Sequence, residues 1–148
     1  MERKYSLYFA SPFFNPEQVE REERLKAHLR RLGFEVFSPK ENTHLQKDAD
    51  TKAQETTFRQ NLEGIKNTDA VFAITDGKDM GTIWEAGYAF GINKPIIYYA
   101  ETLGNGQFNL MLARSGNVVY QNMADISADE IISAIENAAT VEYTGEIE

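Results

Sequence analysis

Five short apolar runs separated by helix-like segments predict an α/β fold: a flavodoxin- or Rossmann-like doubly wound sheet of five mainly parallel strands, with helices on both faces. Two further observations support this. Tyr5–Ala10 is mostly apolar and aromatic and Ala70–Ile74 wholly apolar, neither alternating, as suits strands covered on both faces. A chain of 148 residues accommodates one domain over 1–148 but not two comfortable cores.

The elements follow in order. After the first strand come Ser11-Pro12-Phe13-Phe14 and then Asn15-Pro16-Glu17-Gln18, in which a capping Asn, a Pro at the first helical position and a Gln three residues past the cap start a helix. Leu25, Leu29 and Leu32 line that helix, and Gly33 suits the left-handed position beyond its end. Glu35–Phe37 reads as a strand closed by Ser38-Pro39, and Lys40 to Asp50 as a long polar loop. Thr51–Asn67 is a second helix with Phe58, Leu62 and Ile65 on one buried stripe. Ala70–Ile74 is the clearest strand. A small-residue helix then runs from Gly81 or Thr82 to Gly91, where Ala86, Gly87 and Ala89 permit close approach to the sheet. Ile96–Tyr99 and Asn117–Tyr120 are the last strands, with helices over 107–115 and 127–139, and the acidic tail over 141–148 is expected to fray.

Composition narrows the chemistry. Fifteen basic against 23 acidic residues leave a net charge of −8, which disfavours a nucleic-acid partner, since such partners require a basic stripe. Cysteine is absent, which removes disulfides, thiolate metal sites and Cys nucleophiles, and two histidines, His28 and His44, are too few for a His-based metal cage. No window reaches the roughly 18 apolar residues of a membrane span. The expectation is a cytoplasmic protein without metal or membrane. Neither a G-x-G-x-x-G nor a P-loop occurs, and Asp76–Gly81 lacks the remaining ligands of a calcium loop, so no cofactor is expected.

In doubly wound sheets ligands sit at the carboxyl ends of the strands. The informative stretch there is Asp79-Met80-Gly81-Thr82-Ile83-Trp84-Glu85-Ala86-Gly87-Tyr88-Ala89. Two readings of Glu85 compete. Thr82 and Glu85 have the spacing of a capping box, in which Glu serves only its own helix. Alternatively, Glu85 projects into the strand-end crevice as a nucleophile or base, kept ionised by the helix N-terminus, with Asp79 as the second carboxylate of a glycosyl-transfer pair.

Four blocks in order resemble the nucleoside 2-deoxyribosyltransferase family: Leu7-Tyr8-Phe9-Ala10-Ser11-Pro12-Phe13-Phe14, Asn61-Leu62-Glu63-Gly64-Ile65-Lys66, the Asp79–Ala89 stretch, and Asn109-Leu110-Met111. The resemblance extends from Tyr5 to about Tyr120. It implies exchange of the nucleobase of a 2′-deoxynucleoside with a free purine or pyrimidine base, in nucleoside salvage. Glu85 then matches the nucleophile that forms a covalent deoxyribosyl intermediate, and two inversions give net retention. Tyr8 matches the tyrosine orienting that Glu, and Asp79 the residue binding the sugar hydroxyls. Phe13 matches an aromatic beside the base. Asn109 and Met111 match residues donated to a neighbouring subunit's site near the 5′-hydroxyl, which implies a homo-oligomer, dimer or hexamer.

Two positions depart from the family pattern, both on the base side. Asn61 stands where an Asp is usual, and an amide is no general acid, so a water or Asp79 is left to deliver the leaving base's proton. Thr43, followed by His44, stands where a Gln often contacts the base. Two rival functions use the same scaffold. One is hydrolysis of deoxynucleoside 5′-monophosphates, for which Arg114-Ser115 offers phosphate-binding groups. The other is a non-catalytic nucleotide-binding module.

Overall fold

The computed structural model describes residues 3–148. Strands β1 (Ser6–Ala10), β2 (Glu35–Phe37), β3 (Ala70–Ile74), β4 (Ile96–Tyr99) and β5 (Val118–Tyr120) form one sheet in the order β2-β1-β3-β4-β5. Every pairing is parallel, with Leu7 opposite Val36 and Ala70, and Tyr8 opposite Phe37 and Val71. The chain leaves β1 toward β2 on one side and returns to β3 on the other, so the switch point lies between β1 and β3.

Pleating divides the core in two. Leu7, Phe9, Phe72 and Ile97 face α1 (Pro16–Arg31) and α6 (Ala128–Asn137), meeting Leu25, Leu29 and Ile131. Tyr8, Ala10, Val71, Ala73 and Tyr98 face α3 (Thr51–Asn67), α4 (Met80–Gly91) and α5 (Leu110–Ser115). Asn15 caps α1 by accepting from the Gln18 amide at 2.9 Å, and Gly33 takes φ +101° just past its end.

Several expectations are corrected. The polar stretch after β2 holds a short helix, α2 (Pro39–Asn42), because Ser38-Pro39 serves as cap and first helical residue rather than only as a strand stop. On α3, Ile65 is buried but Phe58 is 41% exposed and packs on Trp84 at 5.7 Å. Gly87 faces outward with open space around its α-carbon, so Ala86 and Ala89 alone make the close approach of α4. The helix expected over 107–115 begins only at Leu110, the one over 127–139 spans Ala128–Asn137, and a 3-10 turn occupies Met123–Asp125. The acidic tail is not frayed: the Phe108 amide donates to Glu146 O at 2.9 Å, the Glu148 amide to Phe108 O at 3.0 Å, and Tyr143 packs against the Phe108 ring. Among the described residues no helix is long and apolar enough to cross a membrane.

Candidate active site

Strand alternation points Tyr8 at the α4 face, where its hydroxyl donates a hydrogen bond to the Glu85 carboxylate. The Phe37 ring stacks on Tyr8 at 5.5 Å and 17°. Phe37 has room because residue 64 is a glycine: a Cβ there would lie 2.7 Å from the Phe37 ring. One α3 glycine thus supports a β2 aromatic, which supports a β1 tyrosine, which holds the α4 carboxylate.

The capping-box reading of Glu85 fails on geometry. Asp79 is the N-cap of α4, and its Oδ2 accepts from both the Thr82 amide and the Thr82 hydroxyl at 2.9 Å. Glu85, six residues on, lies beyond the first turn, where the helix dipole has faded. The expectation that the dipole keeps Glu85 ionised is therefore corrected. Burial raises the Glu85 pKa to about 7; the Tyr8 hydrogen bond opposes that rise and the nearby Asp79 charge adds to it. Tyr8 itself is pushed far upward, by burial first and then by the Glu85 charge and hydrogen bond, so its hydroxyl stays a donor.

Thr43 and Asn61, expected on the base side, are brought together: the Thr43 hydroxyl donates to Asn61 Oδ1 at 2.5 Å. That bond occupies the amide oxygen and leaves Nδ2 as the donor a ligand could meet. Phe13 stacks on Phe14 at 5.4 Å and reaches His44 at 6.2 Å, so the loops after β1 and β2 touch.

Asn109 and Met111 form no hydrogen bond with Glu85. Asn109 caps α5, accepting from the Met111 and Leu112 amides, and the Met111 side chain is 73% exposed. Both residues line a cavity of about 530 Å³ with Lys78, Ile83 and Glu148, which Glu85 does not line. A second hollow, about 910 Å³, lies beside β2 and α3 and includes Phe37, Thr43 and Gly64 but again not Glu85. Glu85, half-buried, lines neither of these two hollows. Sequence reasoning also passed over Phe37 and the aromatic row of Phe58, Trp84 and Tyr88, in which Trp84 and Tyr88 stack at 5.8 Å. The i, i+4 spacing of Trp84 and Tyr88 was the available signal.

Residues 7–123 match the profile described as nucleoside 2-deoxyribosyltransferase. The chain belongs to the nucleoside 2-deoxyribosyltransferase family. The matched span contains Tyr8, Asp79, Glu85, Asn109 and Met111. Among solved structures, the chain is similar to a 2-deoxyribosyltransferase from Bacillus psychrosaccharolyticus, at 30% identity and TM-score 0.77, covering 93% of this chain and 98% of that one. It shares its fold with a conserved protein from Enterococcus faecalis V583 (18% identity, TM-score 0.61, 95% and 92% covered). It does so also with a CMP N-glycosidase from Clostridium botulinum (21% identity, TM-score 0.54, 81% and 93% covered). No curated protein matches the chain significantly. Membership supports a nucleoside deoxyribosyltransferase-like enzyme that acts on nucleosides and bases.

Proposed function

We propose that this deoxyribosyltransferase-family chain exchanges the nucleobase of a 2′-deoxynucleoside with a free purine or pyrimidine base through a covalent deoxyribosyl–Glu85 intermediate. The observation that carries this is the Tyr8-held, desolvated carboxyl of Glu85, which its helix does not use as a cap. The Glu85 carboxylate attacks C1′ as the C–N bond breaks, and the departing base keeps the bonding pair and takes up a proton. The acceptor base then attacks C1′ from the vacated side, Glu85 leaves, and the acceptor nitrogen sheds its proton; net configuration is retained.

A pKa of about 7 suits both halves, because the group is ionised enough to attack and basic enough to bond carbon. Tyr8 orients the attacking oxygen. Asp79, whose Oδ2 is committed to Thr82, offers Oδ1 to the sugar hydroxyls. Phe13 stacks beside the base, and Asn61 Nδ2, oriented by Thr43, donates to a base acceptor atom. Since the amide cannot act as an acid, water supplies the leaving base's proton.

Asn109 and Met111 complete the site of a second copy in a dimer or hexamer. Their exposure, in a cavity that Glu85 does not line, favours that reading, as do Met80 at 87% and Trp84 at 53% exposure on α4. The reaction belongs to cytoplasmic nucleoside salvage.

Incubating the protein with deoxyinosine and adenine tests the proposal. New deoxyadenosine, with a protein mass gain of one deoxyribosyl group during turnover, is the expected result. Free sugar without a new nucleoside would overturn transfer in favour of hydrolysis. Against hydrolysis of a 5′-phosphate, the Ser115 hydroxyl is already engaged by Tyr98 at 2.9 Å.

A further inference from the structure

We propose that Lys26 and Glu22, buried side by side on α1, are positioning residues: their ion pair couples the Ser11–Phe14 loop to the Ser38–Thr43 segment and so sets the width of the slot that receives the nucleobase. The inference rests on the base-side reading of Phe13, Thr43 and Asn61 above. Lys26 is 0% and Glu22 2% exposed. Lys26 Nζ lies 2.8 Å from Glu22 Oε1 and 2.7 Å from Glu41 Oε2, and donates to Ser38 Oγ at 3.3 Å. The other oxygen of Glu22 accepts from the Ser11 hydroxyl at 2.6 Å.

These ties run from one helix to two loops. Ser11 lies two residues before Phe13 and is joined to it by the buried Pro12. Ser38 caps α2, Glu41 belongs to α2, and α2 ends against Thr43, whose hydroxyl grips Asn61. On the far side the same loops meet again where Phe13 approaches His44. The two segments are therefore joined twice, by an aromatic contact at one end and by the ionic clamp at the other.

Stability alone does not account for these charges. A buried ion pair is generally no more stabilising than apolar residues of the same volume, because desolvation cancels most of the attraction. Burial disfavours the Lys26 ammonium, yet hydrogen bonds to Glu22 and Glu41 outweigh it and hold its pKa above the ordinary lysine value. What the charged pair adds over Leu and Met is direction: fixed bonds to Ser11, Ser38 and Glu41.

The test combines Glu22→Leu with Lys26→Met and compares the variant with the parent. Thermal melting should stay close to the parent's, while amide hydrogen exchange in 11–14 and 38–44 speeds up together about tenfold and that of β3 is unchanged. The acceptor-base KM should rise about tenfold, with kcat at saturating base held within about threefold. Unchanged protection in either segment, or a fall in kcat without a change in KM, would overturn the clamp. If the double variant does not fold, Ser11→Ala decides: faster exchange at 11–14 and a raised base KM, both restored in Ser11→Thr, uphold it, and parent-like behaviour overturns it. A parent that exchanges no bases defeats the transferase reading instead, and the hydrogen-exchange comparison then decides the coupling by itself.

Discussion

Among the tyrosine–glutamate pairs of this sheet, two are set apart by their environments. On β1, Tyr8 donates to Glu85; at the end of β4, Tyr99 donates to Glu101 at 2.7 Å. Glu101 also accepts from Arg24 at 2.7 and 3.1 Å and from Arg21 at 3.1 Å. The Arg24 hydrogen bonds, against opposing burial and with help from Tyr99 and Arg21, hold its pKa down at about 2. Glu85 has no cation partner among the described residues, and burial lifts its pKa to about 7. A phenol beside a carboxylate is thus not itself a sign of reactivity. The cations turn one pair into an anchor between α1 and β4, and their absence leaves the other basic and unspent.

The contrast breaks most decisively at Glu85, the proposed nucleophile. Glu85→Ala should lower base exchange by about 10⁴-fold or more while leaving the fold intact, as steady-state kinetics and circular dichroism would show. Exchange at the parent rate would place Glu85 in the same structural class as Glu101. Tyr8→Phe comes next. Loss of a hydrogen bond that lowers the Glu85 pKa should move the pH–rate midpoint above about 7, and the rate at neutral pH should fall about tenfold. An unmoved midpoint would mean that Tyr8 does not control the ionisation.

On the anchor side the effect should appear in stability. Glu101→Gln leaves the buried Arg21 short of its partner and should cost about 2 kcal/mol in urea unfolding, a value already reduced for the partial exposure of Glu101. Exchange should stay within about threefold of the parent. The smallest effect follows from linkage. Glu85 binds its proton more tightly folded than unfolded, so its contribution is fully present below the ordinary value of 4.5 and is lost as pH rises to about 7. Glu85→Gln should therefore raise Tm by about 3 °C at pH 8 and leave it nearly unchanged at pH 5. Equal shifts at both pH values would contradict a raised carboxyl.

Much of this architecture was legible in the sequence, and the gaps have physical causes. The strands announced themselves because parallel strands covered on both faces are continuously apolar, as in Ala-Val-Phe-Ala-Ile over 70–74. The four separated blocks pointed to Glu85, but spacing could not decide between cap and nucleophile: Thr82 and Glu85 have the spacing of a capping box, and only backbone geometry shows Asp79 taking the cap. The tail's docking is not legible in its acidic composition, because one anchor, Phe108, is far from it in sequence and the other, Tyr143, stands isolated among polar residues. The Gly64–Phe37–Tyr8 stack was invisible because its three members come from three elements, each of which looks locally unremarkable as core.

That stack has a practical consequence for anyone reshaping the substrate preference of this enzyme. Phe37 borders the large hollow that also reaches Thr43, which makes it an obvious position to trim for bulkier bases. The same ring is the backstop of the phenol that holds the Glu85 carboxylate. On the proposed mechanism, trimming that position would loosen the nucleophile's own support, so room for new substrates is better sought at Thr43 or His44, which carry no part of that backstop.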